Sequence, residues 1–598
     1  MLIEFHLTPV LPLKDIPRFV TFSEPAQTNL ERHVSLAFED AGYHRRYTVR
    51  EEPLGTVRPI RIITIGAGAS GINILKTLDQ ELTNFDCVVY EKNSRVGGTW
   101  FENRYPGCQC DIPSHNYQFS YQPNYAWSSF FSPAREIEEY LCSICEDASM
   151  KERIRLEHEV LGAFWNEDTA SWRVQIRSLR TGVEFEDHCD FLLNASGILN
   201  NWQWPDIPGL HDFAGSLLHS AKWDETFEWA GKRVAVIGNG SSGVQIVPAM
   251  QESVRELVHF IREPTWMVPP QLQSLSLSKA SDILSQIQMD EKGRFLPEQI
   301  QRFKLDPDFY LSFIKAVEEQ VNNNFSIVLK DTTNHRNARE LVTHYMKSSL
   351  GDNEELIKLL VPDFPLGCRR MTPDIGYLAS LTKDNVRVVS DKIVVINETG
   401  LVTSSGETIA VDAIVCATGF NVSFRPRFPL VGRKGNLQDI WTETHPSAYM
   451  SCAVPDFPNY FVFLGPNAPI GHGSVFTIVE LISKYVTDII KKCQTQQIRA
   501  ISPSRAAVDE FAEHIATFMP RTAWAGPCAS WFKAGTRDGP VTALHPGSRI
   551  HFFHMLEHFR GEDWEYVYST KTNRFSYLGN GVSLKELDGS DTTWYLRA

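Results

Sequence analysis

The chain has 598 residues, 42% of them apolar and 22% charged, with a net charge of −14. That length exceeds one ordinary hydrophobic core, so two or three domains are expected. The acidic balance, with no basic stripe, excludes a nucleic-acid partner. No apolar run reaches the ~20 residues that a membrane-spanning helix needs.

The opening MLIEFHLTPVLPL carries Glu4 and His6 and is broken by Pro9 and Pro12, which reads poorly as a secretion signal. The 11 cysteines are odd in number and scattered. That suits free thiols in a reducing compartment, and the expected location is cytoplasmic. Residues 1–58 show no strong periodicity and are read as an extension. A β-rich run from Arg61 to Ile65 then meets a glycine turn, and Leu75, Leu78 and Leu82 follow at helical spacing. A second short strand, Cys87 to Tyr90, ends on Glu91. The same strand–turn–helix–strand pattern returns with Val234 to Ile237, GNGSSG, and Leu257 to Ile261 followed by Arg262. Between about 275 and 350 the chain turns polar, charged and helix-forming, as in PEQIQRF and AVEEQVNNNF, and is read as a helical insertion. Strand-like runs resume at Val386 to Val389, Ile393 to Ile396 and Ala413 to Ala417, ending at Thr418-Gly419.

These elements predict an α/β protein with two Rossmann-like, three-layer dinucleotide-binding domains and a helical insertion in the second. The expected division is an extension over 1–58, a first domain over 59–205, a second over 206–390, and a return to the first domain with a C-terminal segment over 391–598.

The first glycine box is Gly66, Gly68 and Gly71, with Ser70 inside it. Its first glycine makes the tight turn, its second lets backbone amides approach a pyrophosphate, and its third lets helix and strand pack closely. The helix N-terminus then offers unpaired N–H groups and a positive dipole end to phosphate. Glu91, 20 residues past Gly71, is placed to accept hydrogen bonds from a ribose hydroxyl pair. The second box is Gly238, Gly240 and Gly243, with Ser241 and Ser242 between them. Here the following strand ends on Arg262, which pairs with a 2′-phosphate where an acid would repel it, so NADPH is expected over NADH. Two nucleotides in one chain point to an electron relay from NADPH to a flavin.

Further motifs carry a family resemblance. GGTWFENRYPGCQCD, Gly97 to Asp111, is similar to the flavin-side motif of class B flavoprotein monooxygenases. FAGSLLHSAKWD, with Phe213, Gly215, His219, Trp223 and Asp224, resembles the long fingerprint of Baeyer–Villiger monooxygenases and stands directly before the second glycine box. It ends Trp-Asp where that fingerprint has Trp-Pro. LGCRRMTPDIGYL resembles the family's basic pair, although Arg369 stands where many members carry lysine. DAIVCATGF is similar to the strand-end motif that closes the nucleotide sites, and PNYFVFLGPNAPIGHGS to the flavin-covering segment of fungal members.

The resemblance implies FAD and NADPH as cofactors and a small-molecule ketone and O2 as substrates. It places Gly98, Thr99, Trp100, Asp111 and Tyr117 at the flavin, and Arg369 with Arg262 at the NADP 2′-phosphate. Trp531, in CASWFK, would contact NADP. His219 is read as a positioning residue. The implied chemistry adds a flavin C4a-peroxide to the ketone as a nucleophile, giving an ester or lactone. Such a peroxide must be an anion, so a permanent cation is needed beside it in a dry site. Arginine stays charged and does not protonate the anion. By resemblance that cation is Arg370, held by Asp111. Fungal-looking segments suggest a secondary-metabolite ketone.

Two readings compete. Oxygenation of nitrogen or sulfur would need a protonated, electrophilic hydroperoxide. A flavin disulfide reductase would need a cysteine pair beside the flavin. Cys108 and Cys110 are too close for an unstrained bridge, and Cys142 and Cys145 have redox spacing but lie in an amphipathic helix, EYLCSICEDA. No metal site is expected, and the oligomeric state stays open.

Overall fold

A computed structural model of the chain describes residues 48–270 and 281–596. The first 47 residues of the expected extension, and 271–280 of the insertion, lie outside the described residues. Two compact units separate. The smaller joins the described residues up to Thr56 with those from Tyr568 onward. Within it, Leu54 donates its N–H to Val582 and Leu584 donates to Leu54.

The larger unit, Val57–Val567, holds the nucleotide-type folds. In chain order its principal elements are β1 (Ile60–Ile65), α1 (Ala69–Glu81), β2 (Phe85–Tyr90), β3 (Ile154–Arg155), β4 (His158–Asn166), β5 (Ser171–Ser178), β6 (Glu184–Cys189) and β7 (Phe191–Asn194). There follow β8 (Ser216–His219), β9 (Arg233–Ile237), α2 (Ser241–Gln251), β10 (Glu256–Phe260), β11 (Val386–Val389), β12 (Ala413–Cys416), β13 (Tyr460–Val462) and α3 (Val475–Thr495).

One sheet runs in the order β13-β7-β1-β2-β3, with every pair parallel. Its strands are apolar on both faces, as in Ile62, Ile63, Leu192 and Leu193, because helices or a second sheet cover each side. On α1, Ile72, Leu75 and Leu78 are buried at helical spacing, and Asn73 Nδ2 donates to Ser483 Oγ of α3 at 2.8 Å. β4, β5 and β6 form an antiparallel sheet whose inward residues Trp172, Val174 and Ile176 alternate with outward ones.

A second parallel sheet runs β11-β10-β9-β12-β8. Between β10 and β11 stand the helices Pro297–Leu305, Pro307–Asn323 and Thr333–Ser349, where the helical insertion was expected, and Glu354–Leu360, past its expected end near 350. Side-chain caps from Asp306, Thr332 and Asn353 start three of them. Phe303, Phe313 and Val317 give the insertion an apolar core of its own. The second sheet draws on more chain than its expected limit at 390. Ala413–Cys416 inserts between β8 and β9, a pairing set by long-range register and not by spacing along the chain. Among the described residues no helix is long and apolar enough to cross a membrane.

The cysteines depart from the expectation of free thiols. Nine are free, but Cys368 and Cys528 form a disulfide between residues 160 apart in sequence. The fold brings their Cα atoms to 6.3 Å, within bridging range, and no sequence spacing announces that approach.

Burial lowers the pKa of His115 and His545 to about 3 and of His219, His259 and His472 to about 4. Unfolded histidine takes up its proton near pH ~6.5, so the stability of the neutral buried rings is whole above that value and is lost as pH falls toward 4. Burial also weakens the acidity of the carboxyls of Glu91, Asp374 and the half-buried Glu480, which act in the opposite sense but are outnumbered. The melting midpoint is therefore expected to drop by several degrees between pH 6.5 and 4.5 in a scanning series, whereas an unchanged midpoint would contradict the neutral-histidine account.

Candidate functional site

The first glycine turn lies between β1 and α1. Gly66 has φ +97°, and a Cβ on Gly71 would stand 1.9 Å from the Gly66 carbonyl oxygen, so a side chain at either position would force the turn open. No side chain caps α1, whose N-cap is Gly68, so its first-turn N–H groups are not satisfied from within the protein. By contrast, Ser474 caps α3 through the N–H of Phe476. Ser70 is buried in the first turn of α1.

Glu91, 4% exposed, follows β2 and accepts from the backbone N–H groups of Ala67 at 2.7 Å and Asn93 at 2.8 Å. Burial raises its pKa, and these two donors oppose that rise. Each carboxylate oxygen keeps a further lone pair. Gly98 backs directly onto Gly68, and its backbone leads into the short helix Thr99–Glu102. Trp100 Nε1 donates to Tyr117 at 3.3 Å with the rings edge to face, and Tyr117 rests on Phe476 of α3. Of the expected flavin-side residues, Gly98 thus meets the first glycine turn, and Trp100 and Tyr117 meet one another beside α3.

The second turn repeats the construction. A Cβ on Gly243 would stand 2.0 Å from the Gly238 carbonyl oxygen, while Gly240 faces open space. Ser241 and Ser242 begin α2, again with no side-chain cap. Arg262 is exposed just past β10. Arg369 Nη1 donates to the carbonyls of Glu263 at 3.1 Å and Pro264 at 2.8 Å. Burial lowers the pKa of Arg369, Glu263 opposes the drop, and the charge of Arg262 adds to it, so the two guanidiniums share one neighbourhood. Trp531 is half-buried in the turn Trp531–Lys533, packed against Phe532.

Arg370 and Asp111, 259 residues apart, meet in a bidentate pair. Nε donates to Oδ2 and Nη2 to Oδ1, both at 2.7 Å. Arg370 keeps 24% side-chain exposure and Asp111 17%. Burial works against the charge of Arg370, but Asp111 outweighs it and the pKa moves up. The guanidinium is therefore a permanent cation, with Nη1 turned toward the Ile470 carbonyl at 3.5 Å.

Several residues that connect these parts escaped the sequence reading. Gln245 of α2 accepts from Tyr105 at 2.9 Å and donates to the carbonyl of Gln109 at 3.0 Å. The flavin-side segment is thereby fixed to the second nucleotide helix. A Cβ on Gly107 would stand 2.7 Å from the Gln245 carbonyl oxygen, and that glycine was the available clue. Glu263 gathers Arg369 through its carbonyl and Ala529 N and Arg537 through its carboxylate.

His219 accepts from Ala221 N at Nδ1, so its proton sits on Nε2, 3.2 Å from Thr418 Oγ1. Burial keeps the ring neutral, and it ties the fingerprint segment to the end of β12. Cys142 and Cys145 are unbridged, and the Cys368–Cys528 bridge has no exposure through which a thiol substrate would reach it.

The chain was compared with known proteins. The family of NAD(P)-binding Rossmann-like domains matches residues 64–133. The FAD-binding monooxygenase tazF of Aspergillus terreus is 39% identical over 90% of this chain and 95% of its own length. A Baeyer–Villiger monooxygenase of Streptomyces coelicolor is 32% identical over 82% of this chain and 90% of its own. Among solved structures, cyclohexanone monooxygenase from Rhodococcus sp. Phi1 bound to NADP+ superimposes with a TM-score of 0.71 at 26% identity, covering 87% of this chain and 100% of that one. By the extent of these matches, the chain belongs to the FAD-binding monooxygenases of the Baeyer–Villiger type.

Proposed function

We propose that this enzyme uses NADPH and O2 to insert one oxygen atom beside the carbonyl of a ketone, giving an ester or lactone, and that its ketone is a secondary metabolite. The observation that carries the reading is the Arg370–Asp111 pair, a fixed cation whose Nε–Nη2 edge is held by Asp111 and whose Nη1, beyond its 3.5 Å contact to the Ile470 carbonyl, has a second N–H to offer the reacting oxygen. FAD, when bound, accepts hydride from NADPH and activates dioxygen. The residues present fit that group: an uncapped helix end, a glycine cradle that a Cβ would fill, and a buried carboxylate with lone pairs to spare.

In this reading Gly66, Gly68, Ser70, Gly71, Glu91, Gly98, Thr99, Trp100 and Tyr117 hold FAD, and Gly238, Gly240, Ser241, Ser242, Gly243, Arg262, Arg369 and Trp531 hold NADPH. Residues 59–205 and the chain beyond β12 make up the flavin domain, and the second sheet with its insertion makes up the NADP domain. Arg370 stabilises negative charge on the attacking oxygen without donating a proton to it. Asp111 fixes the plane of the guanidinium, and the partial burial of the pair strengthens its field. The nucleophilic route is favoured over nitrogen or sulfur oxygenation because Arg370 remains charged throughout the working pH range.

Arg370→Ala is expected to keep FAD and to go on oxidising NADPH, with hydrogen peroxide replacing ester and ester yield falling by about 100-fold. Gas chromatography of a ketone series beginning with cyclohexanone, beside a peroxide assay, measures both. Undiminished ester from that variant would remove Arg370 from the chemistry.

Arg262→Ala and Arg369→Ala should each raise the half-saturating NADPH concentration by about tenfold while leaving that for NADH nearly unchanged. Equal losses for the two cofactors would refute a 2′-phosphate contact.

A further inference from the structure

The Cys368–Cys528 bridge occupies a particular place. Cys368 immediately precedes Arg369 and Arg370, and Cys528 lies three residues before Trp531. Both sulfurs belong to residues with no exposure. The bridge therefore ties the segment bearing the two arginines to the segment bearing the tryptophan.

Beside the bridge, Gly526 packs closely on Cys368 and Pro365, and the polar contacts of the tryptophan-bearing segment run to Glu263, whose carbonyl receives Arg369. Ala529 N donates to Glu263 Oε2 at 3.2 Å, and Arg537, 58% exposed, pairs with Glu263 Oε1 at 3.3 Å. An exposed ion pair of that kind contributes little. Residues 534–538 beyond the turn, Gly535 among them, are exposed, and Gly539 follows them. Lys533 turns its ammonium onto the carbonyls of Gly526 and Arg537, which closes the loop on itself but does not anchor it to the arginines. A disulfide, by contrast, is a covalent tether that confines its two Cα atoms to a separation of ~4.4–6.8 Å, and a misplacement of ~1 Å at a reacting centre costs up to about 100-fold in rate.

We propose that Cys368 and Cys528 are positioning residues for the oxygenation: their bond sets Arg369 and Arg370 against the Trp531 turn, so that NADP+ is held in register with the cation. The proposal rests on the roles given above to Arg369, Arg370 and Trp531. Opening the bridge with a dithiol breaks the S–S bond and places one electron and one proton on each sulfur, while the reagent closes to its own cyclic disulfide. The loosened segment then holds NADP+ less tightly, and more of the oxidised NADPH ends as hydrogen peroxide.

The test uses the FAD-loaded full chain and the variants Cys368→Ala, Cys528→Ala and the double substitution. Alkylation under denaturing conditions without reductant should label the 9 free thiols, against all 11 after reduction. Equilibrium titration with NADP+ should show affinity weaker by about fivefold to tenfold in all three variants, with FAD content unchanged. The single and double variants should match, because one bond is lost in each. The peroxide formed per NADPH should rise severalfold. Wild-type protein reduced with dithiothreitol while loosened by mild denaturant should behave like the variants and recover on reoxidation, a reversal that loss of packing would not give.

Labelling of all 11 thiols without reductant, or NADP+ affinity and peroxide yield within about twofold of wild type in the variants, would overturn the proposal. Arg370→Ala and Trp531→Ala run alongside separate the causes. If they also match wild type, the reading of the site has failed. If they differ and the cysteine variants do not, only the tether has failed.

Discussion

Two hydrogen bonds of 2.7 Å hold the side-on edge of the Arg370 guanidinium against Asp111, and they join stretches of chain 259 residues apart. An isolated guanidinium would be costly to bury, and an isolated carboxylate equally so. Paired and only part-exposed, each makes the other tolerable, although the pair adds little net stability once desolvation is counted. Its value lies in orientation. With Nε and Nη2 committed, the guanidinium plane is fixed and Nη1 points toward the Ile470 carbonyl. The carboxylate also reduces the field that the cation projects, so the arrangement gives up strength for a defined direction.

That direction depends on the two nucleotide-type sheets keeping their relation within the larger unit. The flavin-side segment does not float between them. Tyr105 and Gln109 both bind Gln245, which belongs to the helix that begins at the second glycine turn. Gly107 lets the two backbones approach too closely for any side chain. On the other side of β12, neutral His219 joins the fingerprint segment to Thr418. A charged imidazole there would need a compensating acid in a buried place, and burial prevents the charge from forming. The loops around the cation are thus tied to rigid elements by short polar bonds, which suits a site whose geometry decides between transfer of oxygen and its waste.

The parts legible in the sequence are those governed by local rules. A turn between strand and helix needs glycine at fixed offsets, so Gly66, Gly68, Gly71, Gly238, Gly240 and Gly243 announced both boxes, and Glu91 followed at its expected distance. The insertion showed itself by helical composition. The antiparallel β4–β6 sheet passed unread, because EVLGAFWN and EFEDHC mix charge with apolar residues and need each other's register to alternate cleanly. The strand β12 is legible as a strand, but its place in the second sheet is not, since its neighbours β8 and β9 lie nearly two hundred residues upstream. Gln245, Glu263 and the Cys368–Cys528 bridge escaped for the same reason. Each acts on partners distant in sequence, and nothing within its own stretch distinguishes it from an ordinary surface or core residue.

The adjacent arginines show how much a single position decides. Arg369 turns to the carbonyls of Glu263 and Pro264, beside Arg262, whereas Arg370 turns to Asp111. Consecutive side chains leave an irregular extended chain in different directions, so one short segment supplies a charge to each of two neighbourhoods. The demands at the two positions differ. Next to backbone carbonyls and a second guanidinium, position 369 needs a cation with donors, and a lysine meets that need. At 370 the fork geometry is used in full, and an ammonium would neither match both oxygens of Asp111 nor hold a fixed plane. A lysine would also lose its proton more readily against the burial that already opposes charge there. Either basic residue would thus serve this division of labour at 369, while at 370 the bidentate geometry leaves arginine no substitute.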